Sequence, residues 1–232
     1  MKNKTLALIL SILTLITLAA CSSSKVENVR LDIEEAIQKN NTLENATFEW
    51  SLTMQPGDFD QIADGVFIAK DNGDYDWSYT EYLGEGQNFS QSAEINGRQY
   101  ELLWVDEPGF DPEWKQPEGE ILNAIELLEP LFEQTIEDKY IGEVEVTEED
   151  GTHYRMTLNE IYLEEEFSES HSHLEISKPT IDMTINGDGY LTKYIFSYVF
   201  SAPEEEPVET TVGYELTEYN MDNAESLLPE IR

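Results

Sequence analysis

Imidazole and thiol groups, the side chains that ligate zinc and its neighbours or serve as base and nucleophile, are sparse in this chain, which has three histidines and one cysteine. Two of the histidines lie in "ESHSHLE", residues 169–175. In an extended stretch Glu169, His171, His173 and Glu175 project to one side, and their carboxylates and imidazoles could hold a divalent metal. In a helix the pairs Glu169/His173 and His171/Glu175 diverge around the axis and no single site forms. An exposed polar loop is the plainer reading, because His-x-His without further ligands at set spacings is a weak metal signature. Signatures of catalysis are missing. The chain has no Gly-x-Ser-x-Gly, no His-Glu-x-x-His and no Walker loop, and "GEGQNF" after Leu83 lacks the third glycine of a dinucleotide turn. Asp71-Asn72-Gly73-Asp74 puts glycine where a calcium loop needs a ligand. Carboxylates abound, and a catalytic pair could arise by chance, but nothing in the sequence supports one. The expectation is a non-enzyme without a cofactor.

Cys21, the lone cysteine, follows a short basic start at Lys2 and Lys4 and a mostly apolar run from Leu6 to Leu18. That run has the length of a secretory signal rather than of a membrane span. It ends in Leu18-Ala19-Ala20-Cys21, and Ser22, Ser23 and Ser24 come directly after. Small residues before a cysteine and a serine tail behind it fit processing better than packing in a helix. The stretch resembles the lipobox of bacterial lipoproteins. That resemblance implies a signal peptide at residues 1–20, an acyl anchor such as palmitate on Cys21 and a tether over 21–25 on the extracytoplasmic face of the cell membrane, while the length of the remainder, 26–232, suits a single domain. A single cysteine excludes disulfides, Cys-rich zinc sites and redox pairs.

The net charge of −36, from 13 Lys and Arg against 49 Asp and Glu, repels phosphate backbones and makes nucleic-acid binding an excluded class. Losing residues 1–20 removes two lysines and no acid, so the processed chain is more acidic still. The acids are spread through nearly every segment, which reads as a solvated surface; a cationic partner is the alternative.

The elements that must position any site are legible by periodicity. Val26, Val29, Ile33, Ala36 and Ile37 recur at three and four, which predicts an amphipathic helix over 26–40. "ATFEWSLTMQ" at 46–55 alternates Ala46, Phe48, Trp50, Leu52 and Met54 against polar residues, a strand with one apolar face. "DGVFIAK" and "DYDWSYTEY" follow as strands, and Asn96-Gly97 marks a hairpin between "NFSQSAEI" and "RQYELLWVD". The helical spacing of Ile121, Leu122, Ile125 and Leu128 predicts a helix that Pro130 kinks or restarts. "IGEVEVT" and "THYRMTLN" form a second hairpin, residues 160–175 fit helix or loop, "TIDMTI" and "YLTKYIFSYVF" form a third hairpin around Asn186-Gly187-Asp188-Gly189, and "VETTVGYELTEY" is a last strand. Strands with one apolar face need one cover, so the predicted class is α+β: a curved antiparallel sheet, an incomplete barrel, wrapped over an N-terminal helix and central helices.

This order, with "GVFIAKDNGDYDWSY" early and "MTINGDGYLTKYIFSYVF" late, resembles the LolA/LolB-type half-barrel of lipoprotein carriers and receptors, and is similar to the lipid-binding lipoproteins of mycobacteria. The resemblance spans roughly residues 26–221 and rests on element order rather than on a fixed motif. It implies a concave side that holds acyl chains or other apolar ligands. The expected ligand face is Trp50, Leu52, Met54, Trp77, Tyr79, Tyr100, Leu102, Trp104, Met156, Phe196 and Tyr198, apolar surface with Tyr and Trp as polar handles. The same residues could instead form an ordinary core, leaving a filled module that offers its acidic surface or a sheet edge to another envelope protein. Phe59, Phe110 and Trp114 on turns are candidates for insertion into a membrane, opposed by neighbouring acids such as Asp58 and Asp111. The expected state is a monomer that meets the membrane through its anchor.

Overall fold

The computed structural model describes residues 26, 28–56, 59–83, 88–105, 113–119, 121–133, 136–159, 162, 175–201 and 206–231. Cys21 with its flanking segments, Phe110, and Glu169, His171 and His173 lie outside the described residues.

Residues 28–40 form the helix α1, and its Val29, Ile33, Ala36 and Ile37 are buried as their spacing requires. Five strands follow: β1 (Asn45–Gln55), β2 (Phe59–Ala69), β3 (Tyr75–Leu83), β4 (Asn88–Ile95) and β5 (Arg98–Val105). Two one-turn helices, α2 (Ala124–Leu127) and α3 (Glu129–Phe132), and a 3-10 turn at Asp138–Tyr140 lead to five more: β6 (Ile141–Glu148), β7 (Thr152–Leu158), β8 (Glu175–Ile185), β9 (Leu191–Ser201) and β10 (Val208–Tyr219). A 3-10 turn at Ala224–Leu227 closes the chain.

All ten strands belong to one antiparallel sheet in the order β5-β4-β3-β2-β1-β10-β9-β8-β7-β6. Each half of the chain is a meander of consecutive hairpins, and the pairing of β1 with β10 is the seam between the halves. β5 and β6 end the sheet on opposite sides, so it stays unclosed, the incomplete barrel expected from the alternating strands. Continuous register carries one concave set across the sheet: Tyr79, Gly65, Phe48 and Leu216 form one transverse row, and Ala63, Trp50, Tyr214, Tyr194 and Met183 form the next.

The core lies between this concave face and the helices. Phe48, Phe67, Trp77, Met156, Ile181, Met183 and Leu191 meet Leu128, Leu131 and Phe132 from the central helices, all with 2% exposure or less. Each such side chain contributes about 1.5–3 kcal/mol by leaving water. Phe67 and Phe132 meet edge to face at 5.5 Å. Polar staples fix the helices over the sheet. Asn40, at the end of α1, donates to the carbonyls of Leu131 and Leu191 at 2.8 Å each and accepts from the Leu191 N–H at 3.1 Å. The Tyr154 hydroxyl on β7 donates to Asp32 on α1 at 2.8 Å, and Tyr79 on β3 donates to the Leu122 carbonyl at 3.3 Å.

The central helix begins later than its periodicity predicts. Asn123 accepts from the Glu126 N–H while Glu126 accepts from the Asn123 N–H, a capping box that starts α2 at Ala124 and leaves Leu122 outside it, 59% exposed. Pro130 has no N–H to continue that helix, so the chain breaks at Leu128 and restarts as α3 with proline in its first turn. Within 160–174 only Tyr162 is described, and Glu175 opens β8.

Candidate functional site

Eight of the eleven residues expected on a common apolar face do lie on the concave side. In the rows that cross the seam, Trp50 pairs with Tyr214, Leu52 with Val212 and Met54 with Thr210. Those β10 residues pair in turn with Tyr194, Phe196 and Tyr198 of β9. Met156 joins through Ile181, which pairs with it on one side and with Phe196 on the other. Trp77 and Tyr79 join through Phe67 and Gly65 of β2.

Tyr100 and Leu102 belong to the opposite face, a correction to the single-face expectation. Concave Tyr79 pairs with Ser92, and Ser92 with Glu101, so Glu101 and not its neighbours takes the concave side of β5. Tyr100 pairs with Ala93 and Leu102 with Gln91, whose amide bonds Thr80 on the convex face at 3.0 Å. Alternation shows that one side of β5 is apolar; which side of the sheet that is depends on pairings that local sequence does not display. Trp104 pairs in register with Phe89 on that same line, and its side chain lies outside the described residues.

Burial divides the concave residues in two. Trp77, Tyr79 and Met156, at 1%, 8% and 0% exposure, are core beneath the helices, with Trp77 stacked on Tyr79 at 5.5 Å. Burial raises the pKa of the Tyr79 hydroxyl, against a lowering by its hydrogen bond with Ser92. Trp50, Leu52, Met54, Phe196 and Tyr198 are only half-buried. They continue into Val208, Val212 and Phe200, also half-buried, which were not among the residues expected at a site. Together these side chains make an apolar strip across the seam, floored by β1, β10 and β9. Phe196 and Tyr198 lie 5.2 Å apart, ring centre to ring centre, and Tyr162 meets Phe196 edge-on at 6.1 Å. Tyr214 links strip to core: burial raises its pKa, a hydrogen bond with Trp50 opposes this, and the charge of Glu129 adds to the rise.

One polar group interrupts the strip. Thr210, between Met54 and Tyr198 in register, is 2% exposed, and its hydroxyl has no hydrogen-bond partner among the described residues. Phe59, expected at a turn tip, is the first residue of β2; it pairs with Met54 at the rim of the strip and is 42% exposed. Toward β5 the concave face turns polar. Gln61 donates to Glu81, Ser90 bonds Glu81 at 3.5 Å, Gln99 bonds Glu94 at 3.3 Å, and Lys115 pairs with Glu101 at 3.1 Å. Trp114, half-buried, adjoins that Lys115 bridge. A separate cleft of about 870 Å³ opens at the far end of β1, between Asn41–Asn45, Lys70, Asp71 and Met221–Ser226, with mostly polar lining. Among the described residues no group of three or more His, Cys, Asp or Glu is placed to hold a metal. Of the "ESHSHLE" candidates only the backbone of Glu175 is described, paired with Ser201.

No protein-family model and no curated protein matches the sequence. Among solved structures, the chain is similar to LprF from Mycobacterium bovis at 8% identity and a TM-score of 0.45, over 83% of this chain and 93% of that one. It is also similar to a DUF1329 family protein from Desulfovibrio piger at 8% identity and a TM-score of 0.30, over 86% of this chain and 99% of that one.

Proposed function

We propose that this chain is an extracytoplasmic lipoprotein, anchored through an acylated Cys21, whose half-barrel binds an apolar or amphiphilic ligand without transforming it, as a receptor, reservoir or sensor. The observation that carries the reading is the strip formed by Trp50, Leu52, Met54, Phe196, Tyr198, Phe200 and Val212: contiguous concave apolar side chains that are only half-buried, beside a fully buried core. Large apolar side chains that stay half-buried beside a fully buried core leave surface that an apolar ligand can cover. A covalent anchor suits a fixed binder rather than a free carrier.

The test is to produce residues 22–232, which hold every element of the fold, under gentle conditions and extract the purified protein for lipid mass spectrometry. The expected result is acyl lipid in near-stoichiometric amount. Lipid-free protein that also fails to take up a fluorescent acyl probe defeats the reading.

A second reading draws on the convex face. Ile62 and Tyr82 pair across β2 and β3 and are 38% and 37% exposed, on the same face as Tyr100 and Leu102. An envelope protein docking there is compatible with a ligand on the other face.

A further inference from the structure

We propose that the concave strip selects an uncharged amphiphile and that the Thr210 hydroxyl hydrogen-bonds the ligand's polar group, an ester, amide or hydroxyl oxygen. This rests on the strip being a ligand face.

Thr210 is the odd member of its set. The concave residues of β10 run Val208, Thr210, Val212, Tyr214, Leu216, and valine has nearly the shape of threonine. Burying a hydroxyl with no partner is unfavourable, and native chains rarely leave one so. Here the hydroxyl is buried and unpartnered in the middle of the apolar strip, between Met54 and Tyr198. Met54 is unbranched and can re-pack to let a polar group reach it. On one side of Thr210 the strip offers Trp50, Leu52, Phe196 and Val212 to a hydrocarbon chain.

The charge of the ligand follows from what surrounds that hydroxyl. β1 and β10 contain no lysine or arginine, and the one cation of β9, Lys193, belongs to the convex face, where it pairs with Glu215 at 2.6 Å. The nearest cation in register, Lys178 on the bulge of β8 beside Tyr198, is exposed to solvent. A carboxylate or phosphate at Thr210 is therefore buried without a counter-charge, in a chain of net charge −36. An uncharged oxygen accepts the Thr210 proton at no such cost.

The experiment compares residues 22–232 with Thr210→Val and Thr210→Ser by calorimetric titration with 1-oleoylglycerol and with oleate at about pH 8, each below its aggregation threshold. The wild type is expected to bind 1-oleoylglycerol at least about tenfold more tightly than oleate. Thr210→Val is expected to weaken 1-oleoylglycerol binding by about tenfold, and Thr210→Ser to retain it. Without ligand, Thr210→Val is expected to melt about 2–4 °C higher, because an unpaired hydroxyl has been removed. Unchanged 1-oleoylglycerol binding by Thr210→Val, a preference for oleate, or a lowered melting temperature in unliganded Thr210→Val overturns the assignment of Thr210 and leaves the strip as a ligand face. Failure of the wild type to bind either lipid, together with lipid-free protein after purification, overturns both.

Discussion

Tyr154 and Asn40 show how single polar side chains hold helices over an otherwise greasy sheet. Asn40 bonds two carbonyls and one N–H buried between α1, α3 and β9. Tyr154 reaches from β7 to Asp32 on α1, and burial first, then the hydrogen bond and charge of Asp32, raise its pKa above the ordinary tyrosine value. Tyr194 is raised in the same direction by burial and by its neighbours Tyr162 and Tyr214. In the unfolded chain these hydroxyls ionise near about pH 10. As pH climbs past that value the unfolded state loses its protons first, so their contribution is complete below about pH 10 and falls away as pH rises toward the folded-state values. The urea midpoint is therefore expected to drop between about pH 9.5 and about pH 11, and to drop less in Tyr154→Phe. Identical pH profiles for the two proteins would show that Tyr154 ionises alike folded and unfolded.

At the scale of elements, the crossing of β1, β2 and β3 depends on a missing side chain. Gly65 pairs with Phe48 on one side and Tyr79 on the other, and a Cβ there would stand 2.5 Å from both the Phe48 ring and the Ser78 carbonyl oxygen. The ring could turn, but the carbonyl belongs to the ladder. Gly65→Ala is expected to cost about 1–3 kcal/mol, read as a lower urea midpoint. An unchanged midpoint would contradict the register drawn through these three strands. Most of this architecture was legible beforehand, because each strand with one apolar face alternates: β1 and β10 appear in the sequence with nearly their observed ends, and the pairing of Ile95 with Arg98 follows from Asn96-Gly97. What local sequence could not show is pairing between distant segments. The β1–β10 seam joins residues more than a hundred and fifty positions apart, and the side of the sheet taken by Tyr100 and Leu102 depends on two successive pairings. The division of the apolar face into core and strip was equally hidden, since it depends on tertiary burial rather than on alternation.

For the whole molecule, the strip and the seam coincide. The two meanders pair through β1 and β10, and of the apolar rows that cross this joint Phe48 and Leu216 are buried core, whereas Leu52 and Val212 are half-buried. The chain's 49 acidic against 13 basic residues give a net charge of −36, which turns anions away. The most direct measurement is tryptophan quenching by a brominated acylglycerol, because bromine quenches on contact and two tryptophans of known burial report from different depths. Trp50 is half-buried on the strip, whereas Trp77 is 1% exposed in the filled core. The account predicts saturable quenching in the wild type, with the quenched component lost in Trp50→Phe. No quenching, or quenching of the same extent in Trp50→Phe, would contradict it.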